Sequence, residues 1–131
     1  MKLPVLLTAF ALAGAASVGD AHAEDWKAAF EVDATQAKDA LSIVFTPKKG
    51  YYVNSAYPMK VELTSEKVKL DKTKLGKKDA KYKPSGHDGK ADLATFTVPA
   101  KGKGKVDGSY KLSICTKSGC SPPLKGTFAS K

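Results

Sequence analysis

Apolar residues recur at every second position in short runs broken by glycine, proline and lysine, and this period of two constrains the fold more than any other feature. Leu41, Ile43 and Phe45 alternate with Ser42, Val44 and Thr46, and Met59, Val61 and Leu63 alternate with Lys60, Glu62 and Thr64. Side chains alternate across a strand, so each run predicts a strand with one buried face. The same reading gives an opening strand within 24–33, carrying Trp26, Phe30 and Val32, and a β-prone segment at Gly50–Asn54. It adds a short strand at Val68 and Leu70, another from Leu93 to Val98 ended by Pro99, one over Ser109–Ile114, and a last segment from Leu124 to Phe128. Ala34–Asp39 is too short and polar for a helix with a buried face and reads as a connection. The stretch Asp71–Lys90, rich in lysine, glycine and proline, reads as a long surface connection. Seven or eight short strands with no convincing helix predict an all-β, immunoglobulin-like antiparallel β-sandwich.

The N-terminus carries Lys2, an apolar run from Val5 through Ala16 and the small-residue site Ala21-His22-Ala23. That is the pattern of a secretory signal peptide over 1–23, cleaved after Ala23. Residues 24–131 then suffice for one domain, expected to be soluble and periplasmic, because no other stretch approaches the roughly 20 apolar residues of a membrane span. A monomer is expected. All 22 basic residues are lysine and the formal net charge is +9. Phosphate and base recognition favours the bidentate guanidinium, so no nucleic-acid partner is expected, and the lysines read as a solvated surface able to steer acidic partners.

The chemistry concentrates in Cys115-Thr116-Lys117-Ser118-Gly119-Cys120-Ser121-Pro122-Pro123, which holds both cysteines. Tyr110, Leu112 and Ile114 point into the core, and continuing the alternation puts Cys115 on the outer face beside Ser113 and Lys111. Ser118-Gly119 is turn chemistry, so the chain can reverse and bring Cys120 back to Cys115. Two cysteines in an oxidising compartment usually pair. Chain entropy gives so short a loop only about 2 kcal/mol, at the low end for disulfides.

Two readings follow. An exposed pair in the positive field of Lys111, Lys117 and Lys125 favours thiolate and thiol-disulfide exchange. The other reading is a structural bridge that pins a hairpin in a non-catalytic binding or adaptor module of the cell envelope. Tyr51 and Tyr52 either fill the sandwich edge or control access to the cysteines. His87, in a turn, reads as solvated. No metal or organic cofactor is expected, and a hydrolase lacks both a nucleophile elbow and paired carboxylates.

The tyrosine-rich Gly50-Tyr51-Tyr52 segment, and Cys115 and Cys120 with four residues between them ahead of Pro122-Pro123, resemble the N-terminal periplasmic domain of the thiol:disulfide interchange protein DsbD. The resemblance runs from about Phe30 to Pro123. It implies an immunoglobulin-like domain in which Cys115 and Cys120 are a redox couple, loaded by a membrane-embedded donor and discharged to periplasmic thioredoxin-like oxidoreductases. It also implies a loop that caps the cysteines, for which the region from Asp79 to His87 is the candidate. Some members have five residues between the cysteines rather than four. With neither a membrane span nor a thioredoxin-like domain in the sequence, the donor is expected to be a separate polypeptide. Cys120 is the favoured nucleophile, since Pro122-Pro123 keeps its surroundings open and fixed.

Overall fold

The computed structural model describes residues 26–131, so the signal-peptide expectation for 1–23 lies outside the described residues. Eleven strands follow one helical turn at 26–28: β1 (Phe30–Ala37), β2 (Ala40–Pro47), β3 (Tyr52–Asn54), β4 (Lys60–Thr64), β5 (Lys69–Leu70) and β6 (Lys74–Leu75), then β7 (Lys81–Pro84), β8 (Lys90–Lys101), β9 (Asp107–Leu112), β10 (Ile114–Cys115) and β11 (Leu124–Ala129). All pairings are antiparallel. One sheet runs β1-β2-β8-β3-β10 with β5 and β7 on β8; the other runs β11-β9-β4-β6. The result is the immunoglobulin-like antiparallel sandwich that the alternation predicts.

Alternation sets the core. Leu41, Ile43 and Phe45 of β2 and Phe96 and Val98 of β8 face Val61 of β4 and Leu112 of β9, all essentially inaccessible to solvent. Phe45 meets Phe96, Tyr110 and Phe128 edge-on, with ring centroids 6.0, 5.5 and 6.5 Å away. Such aromatic contacts add about 0.5–1.5 kcal/mol each beyond the burial of area. The rings of Tyr110 and Phe128 fit because each lies over a glycine on the neighbouring strand, Gly126 and Gly108 respectively, where a Cβ would collide with the ring.

Several boundaries differ from expectation. The opening strand starts at Phe30, after the turn that holds Trp26, and runs on to Ala37, so most of Ala34–Asp39 is strand and only Lys38-Asp39 turns. Ala34 is buried there, small enough to sit in the core without an apolar signature. Pro99 does not end β8: its carbonyl accepts a hydrogen bond from the Asp71 N–H, and its missing N–H falls where only the two-residue strand β5 runs alongside. The 71–90 stretch is not one loop. It contains β6, a 3-10 turn at Lys77–Asp79 and β7, which pairs with β8. Among the described residues, no helix is long and apolar enough to cross a membrane.

Candidate functional site

Ser113 is the corner of the molecule. β9 belongs to the four-stranded sheet and β10 to the seven-stranded one, so the chain changes sheets at this residue. The crossing buries Leu112, Ser113, Ile114 and Cys115 in succession. The alternation that puts Ser113 and Cys115 in solvent is therefore corrected. Ser113 is enclosed at the corner, and Cys115, at 0% exposure, is covered although Ile114 takes the core side. A buried hydroxyl requires partners. Ser113 Oγ donates to the Ser121 carbonyl at 2.9 Å and accepts from Asn54 Nδ2 at 3.3 Å, while the Asn54 N–H donates to the Ser113 carbonyl at 2.9 Å.

From this corner the chain makes a small hairpin. The Thr116 N–H donates to the Gly119 carbonyl at 2.7 Å, closing a two-residue turn at Lys117-Ser118. One step back, Ser121 N–H donates to the Ile114 carbonyl at 2.7 Å, and Ser121 Oγ accepts from the Ile114 N–H at 3.0 Å and donates to the Pro122 carbonyl at 2.8 Å. Between these two hydrogen-bonded rungs lies the Cys115–Cys120 pair. Antiparallel ladders bring non-hydrogen-bonded pairs closest together, with Cα atoms about 4.5 Å apart. Cys115 and Cys120 occupy that rung with Cα atoms 3.9 Å apart and are joined by a disulfide. Cys120 is exposed where Cys115 is buried. Pro122 and Pro123, both exposed, carry the chain from the hairpin back to β11 in the other sheet.

The tyrosines divide between the two roles open to them. Tyr51 meets the Trp26 ring edge-on at 6.2 Å and its N–H donates to the Lys48 carbonyl, so it closes the sandwich edge. Tyr52 is the register partner of Cys115 across β3 and β10. Its ring meets His87 at 5.2 Å. Directly opposed residues share a face, so Tyr52, Cys115 and Cys120 form a row with His87 against its far end. His87, read from the sequence as merely solvated, thus stands beside the cysteine row. Its position in a turn gives no sign of this, because the contact depends on β3 pairing with Ala91 and Lys90 of β8. Of the candidate capping region, His87 meets the row through the Tyr52 ring. Asp79 is tied elsewhere, accepting from Lys72 Nζ at 2.7 Å and from the Gly76 N–H at 2.8 Å.

The lysines named with the cysteines also separate. Lys117 sits at the hairpin tip, whereas Lys111 and Lys125 face each other across β9 and β11 on the outer side of the four-stranded sheet. No group of three or more histidine, cysteine, aspartate or glutamate side chains placed to hold a metal occurs among the described residues.

No family model matches the chain, and no curated protein matches it. Among solved structures it is similar to the N-terminal domain of DsbD from Neisseria meningitidis in the reduced form, with a TM-score of 0.47 and 19% identity over 79% of this chain and 85% of that one.

Proposed function

We propose that the chain is a periplasmic thiol-disulfide exchange module that carries reducing equivalents through Cys115 and Cys120 to partner oxidoreductases. One observation carries the reading: a disulfide in a hairpin on the edge strand of a sheet, with one cysteine exposed and the other covered. Access then decides the order of events. A donor thiolate attacks Cys120 Sγ, the S–S bond breaks, and Cys115 Sγ leaves with the electron pair and takes up a proton. The donor's second thiolate attacks its own sulfur in the mixed disulfide and releases Cys120. The donor dithiol is oxidised to a disulfide and this pair is reduced, two electrons and two protons being transferred. Discharge to an acceptor disulfide reverses the sequence, with Cys120 as nucleophile. The donor is a membrane-embedded protein and the acceptors are thioredoxin-like proteins of the periplasm.

Around this step Tyr52 stands beside the covered cysteine with His87 against its ring, and Lys117 stands at the open end of the hairpin. Ser113 and Ser121 hold the backbone so that Cys120 returns to the same rung after each cycle. No metal or organic cofactor takes part.

The burial of Cys115 also suits the second reading, a structural bridge in an adaptor module. Equilibrating residues 24–131 in glutathione and dithiothreitol buffers and trapping free thiols separates the two. The exchange module is expected to show a reduction potential between roughly −120 and −270 mV, and a value below about −300 mV assigns the bridge to structure.

A further inference from the structure

Three lysines stand in line across the four-stranded sheet. Lys60 of β4 is the register partner of Lys111 of β9, which is in turn the partner of Lys125 of β11. Like charges placed directly opposite across strands destabilise a sheet, and here two such pairs share their central residue. No ion pair relieves them: the ion pairs among the described residues join Lys72 to Asp79, Lys105 to Asp107 and Lys131 to Asp33. Glu62, two positions along β4 from Lys60, sits opposite Lys74 of β6. The row borders a shallow groove of about 430 Å³ that is lined also by Glu62, Ser109, Tyr110, Gly126 and Thr127.

The row is also near the disulfide. Lys111 and Cys115 are four positions apart and Cys120 and Lys125 five, and such lengths of chain span at most about 14 and 18 Å. The two places lie on different sheets and meet at the corner where the chain passes from β9 to β10.

We propose that Lys60, Lys111 and Lys125 form a docking surface for an acidic patch on the protein that exchanges disulfides with Cys115–Cys120. The proposal rests on the exchange reading of the hairpin. The partner is a protein of acidic surface: a second copy of this chain carries the same +9 charge, and the row offers neither the guanidinium groups nor the stacking aromatics that hold nucleic acid. Repulsion within the row persists in the free domain and is relieved when carboxylates dock, so binding draws on a cost the fold already carries.

The test uses two peptides, each with one cysteine joined by a flexible Gly-Ser spacer to four glutamates or to four glutamines. With the protein at low ionic strength, the glutamate peptide is expected to reduce the disulfide about tenfold faster than the glutamine peptide, in the range of electrostatic steering. Replacing Lys60, Lys111 and Lys125 together by glutamine is expected to abolish that preference. Replacing Lys38, Lys101 and Lys103, at the far end of β8 and with the same change in net charge, is expected to leave it. Equal losses in the two triple variants overturn the proposal in favour of a diffuse field. So does a row variant that loses binding to phosphatidylglycerol vesicles yet keeps the peptide preference, which assigns the surface to lipid.

Dithiothreitol separates this result from failure of the exchange reading. It is expected to reduce all three proteins alike. If it reduces none, the disulfide is structural, and fluorescence anisotropy with a serine version of the glutamate peptide still tests the row: loss of binding in the row variant alone supports docking, and no binding to the parent protein overturns it.

Discussion

At the scale of single residues, the corner depends on two small hydroxyls. Ser121 is 8% exposed, and its side chain both receives the Ile114 N–H and donates to the Pro122 carbonyl. An alanine at this position leaves a buried N–H without its side-chain acceptor, at a cost of about 1–3 kcal/mol. Ser121→Ala is therefore expected to lower the urea-unfolding free energy by that amount in the oxidised protein; an unchanged midpoint would show that the hydroxyl is dispensable. Sequence reading passes over Ser121 and puts Ser113 in solvent, because nothing in their surroundings marks them as buried. Their burial comes from the change of sheet at Ser113, and a change of sheet leaves no periodic signal. Cys115 is misplaced for the same reason.

At the scale of elements, strands with branched or aromatic side chains on one face were legible, and those without were not. β2 and β4 announce themselves through Leu41-x-Ile43-x-Phe45 and Val61-x-Leu63. β7, with the sequence Lys-Tyr-Lys-Pro, offers Tyr82 alone to the interior and forms because β8 has a free edge to lend it. The connection before it is held instead by Asp79, whose carboxyl is kept below its ordinary pKa chiefly by the hydrogen bond from Lys72 and then by the Gly76 N–H. A carboxyl that titrates lower in the folded than in the unfolded state contributes stability in full above its unfolded value of about 4, and that contribution fades as pH falls through the folded value. Asp79→Asn is accordingly expected to cost a small amount of stability at neutral pH and nothing in strong acid. Thermal melts across pH 2 to 7 check this, and a difference that persists at the acid end would point away from the ion pair. Since both side chains are partly exposed, added salt should shrink the effect.

At the scale of the molecule, the core and the disulfide contribute very unequally. The aromatic cluster around Phe45 ties both sheets together, whereas the Cys115–Cys120 loop encloses only four residues. Replacing both cysteines by serine is expected to cost about 2 kcal/mol and leave a folded sandwich. Circular dichroism and urea titration check it, and global unfolding of the double variant would give the bridge a structural weight that chain entropy does not supply. This inequality fits a pair that can open and close in service without endangering the fold around it.

The long strand β8 and the cysteine hairpin also differ in how readily their amide protons can reach water. Ala94 and Thr95 of β8 are paired on both edges, with Phe45 and Val44 on one side and Tyr82 and Lys81 on the other. Deuterium can enter there only when the whole sandwich opens. The hairpin tip hangs on the single Thr116 to Gly119 backbone bond beyond the disulfide rung, so it can exchange by a local opening. Hydrogen exchange at Thr116 should then track whether the sulfurs are joined, while β8 serves in the same spectrum as a clock that does not notice.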